Sequence, residues 1–193
     1  IESMKIFFYA TFINQEDFLK AAKKKFKSHK IYTKNDSIDL DKIDIALIWK
    51  IPNKLLKKMT NLKIIFSLGA GVDHILKLPS YKNIPVIRIK DPNMRLRMFN
   101  HVLSQVLIYQ LKLRDYQYAQ IKKKWLDERY TFLNHELTIG VMGLGYIGEF
   151  VAQKLKRLGY NIIGYKKSKV IKNKSFQIYY NKNIKSFLKK ADI

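Results

Sequence analysis

Gly143-Leu144-Gly145-Tyr146-Ile147-Gly148 is the stretch on which the reading of this chain turns. A β-like apolar run at residues 137–142 leads into it, and a helix-like run at residues 149–158 leaves it. That placement separates a dinucleotide fingerprint from a chance G-x-G-x-x-G. The first glycine permits the tight turn and the second lets backbone approach a pyrophosphate. The third lets helix pack on strand, and the helix N-terminus faces the phosphates. Gly143, Leu144, Gly145, Tyr146, Ile147 and Gly148 are therefore candidate cofactor-binding residues. A second strand is expected at residues 160–165, with an acidic residue for the ribose hydroxyls near its end, about 20 positions past the motif. The chain reads Tyr165-Lys166-Lys167-Ser168 there, and Lys166 lies 18 residues after Gly148. Two cations and a hydroxyl where NAD-binding chains carry a carboxylate favour a ribose 2′-phosphate, hence NADP(H) over NAD(H). Lys166, Lys167 and Ser168 join the candidate set. A solvated lysine pair is the competing reading in so lysine-rich a chain.

Working outward, the chain alternates strand-like and helix-like segments. Residues 4–9 read as a buried first strand. Asn14 stands where an N-cap would open a helix through Phe26, with Glu16 and Asp17 in its first turn. Further strands are expected at residues 43–49, 62–68 and 84–89, and Pro52 is expected to start a short helix. The strand ending at Leu68 runs into Gly69-Ala70-Gly71. Asp91-Pro92-Asn93 breaks this first unit. One long connecting helix is then expected over residues 98–125, with Val102, Val106, Leu107, Leu111 and Leu113 on or near one face. After the glycine motif, residues 176–180 read as a third strand, 183–190 as a short helix, and Ala191-Asp192-Ile193 as entry into a fourth strand. The sum is an α/β chain, doubly wound and parallel. The domains expected are residues 1–97 and residues 98–193.

A dinucleotide-binding sheet has two βαβαβ halves, and only the first half and the lip of the second are legible here. Ile1-Glu2-Ser3 also precedes a methionine that would be a natural start. Both ends therefore suggest a partial reading frame. The bland alternative is a small complete flavodoxin-like protein.

Bulk composition bounds the function. With 193 residues, 47% of them hydrophobic, the chain can bury a core. No run approaches 18 uncharged apolar residues, so no membrane span is expected, and charges at Glu16 and Asp17 interrupt any signal-peptide layout. With no cysteine there is no thiolate nucleophile, disulfide framework or cysteine-based metal site, and a cytoplasmic location is the default expectation. The formal charge of +23 invites a nucleic-acid reading. Yet of the 38 cationic side chains only six are arginine, the residue favoured for base and bidentate phosphate recognition. The lysines are spread along the whole chain beside abundant Asn, Ile, Tyr and Phe, all with A/T-rich codons. Genome bias is the cheaper explanation, and no nucleic-acid partner is expected.

Taken together, these segments resemble the D-isomer-specific 2-hydroxyacid dehydrogenases, and within them the A-type glyoxylate/hydroxypyruvate reductases. The carriers are Phe66-Ser67-Leu68-Gly69-Ala70-Gly71-Val72-Asp73, then Ser104-Gln105-Val106-Leu107, then Trp125, then Leu137 through Gly148. The resemblance runs from Met4 to Ile193. It implies a flavodoxin-like substrate domain followed by a Rossmann NAD(P)-binding domain, here truncated, with substrate between the two. It also implies reduction of a small 2-oxo acid, glyoxylate or hydroxypyruvate, and a homodimer at full length.

The Gly69-Ala70-Gly71 turn matches the family's loop that holds the substrate carboxylate through backbone amides. Small residues after a strand can form an anion nest, and the competing reading is a tight turn needing glycine for its φ angles. The resemblance favours substrate binding by Ala70 and Gly71. Trp49, ending a strand, either walls the substrate pocket or is a core tryptophan. Lys167 and Ser168 match an Arg-Thr or Arg-Ser pair of NADPH-using relatives.

The family's catalytic arginine, acidic residue and histidine match no position of this chain. Its histidines are His29, His74, His101 and His135, and only His74 falls near the substrate turn, where a structural or capping role is expected. The chain alone is therefore expected to be inactive, with a poorly stable second lobe. A non-enzymatic NAD(P)-binding regulator on the same fold is the alternative.

Overall fold

The structure is a computed structural model that describes residues 3–127, 130–168 and 175–193. The chain divides into two compact units, Ile1–Asp91 and Pro92–Ile193.

The first unit is a five-stranded parallel sheet. Its strands are β1 (Lys5–Tyr9), β2 (Lys30–Tyr32), β3 (Ile45–Ile48), β4 (Ile64–Ser67) and β5 (Val86–Arg88), in the order β2-β1-β3-β4-β5. That is the flavodoxin-like order. Period-two alternation sends side chains to both faces. Phe7, Ala46, Ile48 and Ile65 go to one face, against α2 (Asn53–Leu56) and α3 (Asp73–Leu76) through Leu56 and Ile75. Ile6, Phe8, Ile45 and Leu47 go to the other, where α1 (Gln15–Lys25) covers them with Leu19 and Ala22. Both faces are thus apolar, as a parallel sheet requires.

Asp44 fastens the N-terminal ends of three strands. Its carboxylate accepts the Lys5 N–H at 2.9 Å and pairs with Lys63 at 2.8 Å, and its carbonyl accepts the Lys63 N–H at 2.8 Å.

Several expectations of detail are corrected. Asn14 occupies the N-cap of α1 but its side chain makes no capping bond; Glu16 and Asp17 at the start and Lys23–Lys25 at the end complement the helix dipole instead. Pro52 flanks α2 as its cap, with ψ 139°, and does not begin it. The three-residue β2 and the one-turn α3 were not anticipated, being too short to show a period.

The second unit opens with α4 (Pro92–Gln110) and α5 (Leu113–Ile121). The single helix expected over residues 98–125 is therefore wrong at both ends and in the middle. Pro92 sits at the first helical position, where its fixed φ and missing N–H are tolerated, so the second unit begins six residues earlier than the expected 97/98 boundary. Lys112 adopts φ 54° and separates the two helices. The core face of α4 is Phe99, Val102, Leu103 and Val106, whereas Leu111 and Leu113 are exposed.

Strands β6 (Thr138–Met142), β7 (Asn161–Lys166) and β8 (Gln177–Tyr180) form a parallel sheet in the order β6-β7-β8, with α6 (Tyr146–Arg157) as the crossover from β6 to β7 and α7 (Ile184–Lys190) following β8. The Ile193 N–H donates to the Thr138 carbonyl at 3.4 Å, and the Gly140 N–H donates to the Ile193 carbonyl at 2.8 Å. That is the bonding pattern of a parallel neighbour on the free side of β6, so the expected entry into a further strand is present. Beneath it, Val151, Ala152 and Leu155 of α6 pack on Leu137, Ile139 and Ile162.

A buried polar knot closes the unit. The Tyr160 hydroxyl donates to Gln110 Oε1 at 2.6 Å, and Gln110 Nε2 donates to the Phe132 carbonyl at 2.7 Å and to Asn134 Oδ1 at 2.8 Å. Among the described residues no helix is long and apolar enough to cross a membrane.

Candidate functional site

In the second unit the glycine motif lies where β6 hands over to α6. Gly143 has φ +97°, a conformation that L side chains rarely adopt, and its N–H donates to the Tyr165 carbonyl at 2.9 Å. That bond ties the turn to the end of β7, one residue before Lys166. Gly145 is the N-cap of α6 and has no side chain to cap it. A Cβ on Gly148 would collide with the carbonyl oxygen of Gly143, so the first turn of α6 rests on the backbone of the loop. Leu144 is buried and points inward: a Cβ on Gly164 of β7 would meet its Cδ1 at 2.6 Å.

The loop is therefore held from below by Leu144 and Gly164 and from the side by Gly148. Among the described residues the N–H groups of Gly145, Tyr146 and Ile147 have no protein acceptor. Those free donors and the helix dipole could hold an anion at close backbone range. Lys166 ends β7, and Lys167 and Ser168 follow it exposed. The structure thus brings the glycine loop and the Lys166–Ser168 segment to one end of one sheet.

In the first unit the candidate residues gather at the C-terminal ends of β3 and β4. The Trp49 N–H donates to the Tyr9 carbonyl at 2.8 Å, and Lys50 turns the chain with φ 53°. The Trp49 indole occupies the space that a Cβ on Gly69 would need, while Gly71 has open space on that side. The two glycines of one turn therefore do different things. Gly69 admits the indole, and Gly71 leaves an uncovered backbone. Trp49 also packs against the core of Ile6, Phe8 and Leu47, so the core reading and the wall reading of this residue describe two faces of one ring.

Ser67 is almost fully buried. Its hydroxyl lies 3.0 Å from the Gly69 carbonyl and 3.2 Å from that of Gly71, and it accepts from the Gly69 N–H at 3.4 Å. It turns those carbonyls inward. Among the described residues the Ala70 and Gly71 N–H groups are left without a protein acceptor, and both residues are exposed.

His74 on α3 packs its ring edge-on to Trp49, centroid to centroid 4.4 Å. Its Nε2 is buried with no hydrogen-bond partner among the described residues. Burial first, and then the Lys50 charge, hold its imidazole below the ordinary value of 6.5 against the opposing Asp73. It caps no helix; it braces the tryptophan.

Sequence reasoning missed Ser67 as the bridge of the turn and Arg95 as a neighbour of Tyr146. A hydroxyl inside the apolar run Ile64-Ile65-Phe66-Ser67-Leu68 was the available signal for the first. Nothing in one dimension pointed to the second.

Comparison with known proteins places these features in context. Residues 103–193 match the family model described as D-isomer specific 2-hydroxyacid dehydrogenase, NAD binding domain. Glyoxylate/hydroxypyruvate reductase A of Serratia proteamaculans is 34% identical over 169 residues, covering 82% of this chain and 52% of the relative. The protein of the same name from Yersinia enterocolitica is 32% identical over 167 residues, with the same coverage of each. The chain thus spans about half the length of the curated relatives it matches. Among solved structures, the NADPH-dependent glyoxylate/hydroxypyruvate reductase of Sinorhizobium meliloti in complex with NADP and sulfate superposes with a TM-score of 0.84 at 30% identity, over 98% of this chain and 60% of that one. A D-isomer specific 2-hydroxyacid dehydrogenase of Xanthobacter autotrophicus in complex with NADPH and MES gives 0.85 at 26% identity, over 98% and 62%.

Proposed function

Since the chain belongs to the D-isomer specific 2-hydroxyacid dehydrogenase family, we propose that it is part of an NADP(H)-preferring reductase of small 2-oxo acids, glyoxylate or hydroxypyruvate. The observation that carries the reading is the end of β7. Lys166, Lys167 and Ser168 stand beside the glycine loop where a carboxylate would select NAD. The relatives of known structure that bind NADP or NADPH support it.

The residues present fit the cofactor. Gly145 leaves open space beside the loop backbone, and the free N–H groups of Gly145, Tyr146 and Ile147 fit a diphosphate. Lys166, Lys167 and Ser168 would hold the 2′-phosphate by charge and one hydroxyl, less directionally than an arginine would. When bound, the nicotinamide supplies the hydride that reduces the 2-oxo carbonyl.

In the first unit Ala70 and Gly71 offer two amides to the substrate carboxylate, and Ser67 holds the Gly69 and Gly71 carbonyls away from it. Trp49 walls that turn and fixes its height through Gly69. The residue that moves the proton lies outside this set: no histidine of this chain is assigned that role, and the 193 residues alone are expected not to turn over. The same reading includes a homodimeric, cytoplasmic parent, checked by sedimentation and by cell fractionation.

The test is steady-state reduction of glyoxylate and hydroxypyruvate by the complete reading frame that contains this sequence. NADPH should be used with the higher kcat/KM, and this chain by itself should show none. Preference for NADH in the complete protein would overturn the cofactor reading, and turnover by the 193 residues alone would show that an acid–base group within them had been overlooked.

A further inference from the structure

The guanidinium of Arg95, on the first turns of α4, lies 5.0 Å from the centre of the Tyr146 ring and 4.5 Å from that of Phe150. Tyr146 is the first residue of α6 and the fourth residue of the glycine fingerprint, and Phe150 stands one turn further along the same helix. Phe150 is itself braced by Phe99, edge-on at 6.5 Å. A guanidinium laid on aromatic faces is fixed in position, yet its N–H donors point out in its own plane. It keeps the rigid fork that matches phosphate oxygens.

Arg95 lies near the N-terminus of α4, which Asp91 directly precedes, and beside the positive end of α6. The acidic residue in the first turn of α6 is Glu149, and its carboxylate accepts from Gln153 at 3.5 Å. Among the described residues Arg95 is in no ion pair. A fixed cation in no ion pair, the N-terminus of α6 and the free N–H groups of Gly145, Tyr146 and Ile147 therefore lie together among the described residues. Such an arrangement is unfavourable by itself and becomes favourable when an anion of two or more charges enters.

We infer that Arg95 is a cofactor-binding residue, gripping the diphosphate of the dinucleotide from α4 while the glycine loop holds it from α6. This rests on the dinucleotide reading given above and extends it. The charge comes from a neighbouring helix, because the fingerprint itself carries no cationic side chain. Arg95 thus serves the diphosphate, and Lys166, Lys167 and Ser168 serve the ribose phosphate, so the two phosphate subsites separate along the ligand.

Titration calorimetry on the whole chain separates them, with NADP+ and adenosine 2′-monophosphate as probes. The second probe carries the ribose phosphate and lacks the diphosphate. Arg95→Met should weaken NADP+ about 10- to 100-fold, the range for losing charge-assisted hydrogen bonds, and leave adenosine 2′-monophosphate within about two-fold. Arg95→Gln keeps the stem on the two rings without the charge and should behave alike, which guards against a loss caused by unpacking. Arg95→Lys should fall between wild type and Arg95→Met, since the charge stays and the fork is lost. Equal weakening of both probes would assign Arg95 a structural role in holding α6 and overturn the inference, as would an unchanged NADP+ affinity. If the wild type binds neither probe, the dinucleotide reading itself falls. Binding of both by the wild type with no effect of Arg95 removes this inference alone.

Discussion

Gly69 and Gly71 sit two residues apart in one turn and face different surroundings. At Gly69 a side chain would run into the indole of Trp49, whereas Gly71 faces open space with its amide uncovered. In the complete reading frame, Gly71→Leu should therefore leave folding intact and raise KM for 2-oxo acids about ten-fold or more, by blocking two charge-assisted amide bonds. NADPH affinity should stay near wild type; an equal rise in the cofactor dissociation constant would make the turn structural. His74 gives a second test, in pH. Its burial and the Lys50 charge keep the imidazole below 6.5 in the folded state. Protonation therefore favours the unfolded chain, and the His74 contribution to stability is complete above pH 6.5 and is lost as pH falls through the folded value. The urea midpoint of the first unit should drop between about pH 7.5 and pH 5, and His74→Phe should reduce that drop. A drop of equal size in the variant would clear His74 of the effect. At the cofactor end, Lys166→Asp with Lys167→Ala should weaken NADPH about ten-fold more than NADH, the scale of one or two charge-assisted bonds. Equal loss with both would leave the lysines merely solvated.

At the scale of elements, buried strands with apolar runs were legible in the sequence. β1, β3 and β4 each fall within the run that announced them, short by one to three residues at their ends. What stayed hidden was set by distance or by brevity. β2 has only three residues, Lys30-Ile31-Tyr32, and exists because β1 offers it an edge. The break between α4 and α5 carries neither proline nor glycine. It is set by Lys112, whose ammonium lies over the rings of Tyr109 and Phe132, and by Gln110, which faces inward to Tyr160. Tyr160→Phe would leave Gln110 Oε1 buried without its donor, and should cost the second unit about 1–3 kcal/mol in chemical denaturation. A smaller loss would mean that water reaches the knot. Gly148→Ala sets a methyl against the Gly143 carbonyl. It should destabilise the unit by about 1–3 kcal/mol and, by displacing the loop, weaken dinucleotide binding as well. A fully stable Gly148→Ala variant would contradict the contact.

For the molecule as a whole, two parallel sheets follow one another in the chain, each with its candidate residues at the C-terminal ends of its strands. That is where open α/β sheets present ligands. The glycine loop and the lysine pair could be read from the sequence because a turn of fixed glycines has a fixed spacing. The roles of His74 and Arg95 could not, since each acts through a neighbour supplied by folding: an indole, and a ring on another helix. The proposed activity requires the second unit to be a dinucleotide site. The direct measurement is calorimetric titration of the 193-residue chain with NADP+ and with NAD+ under identical salt. Tighter binding of NADP+, by about ten-fold or more for a recognised extra phosphate, is the predicted result. Failure to bind either dinucleotide, or equal or tighter binding of NAD+, would contradict it.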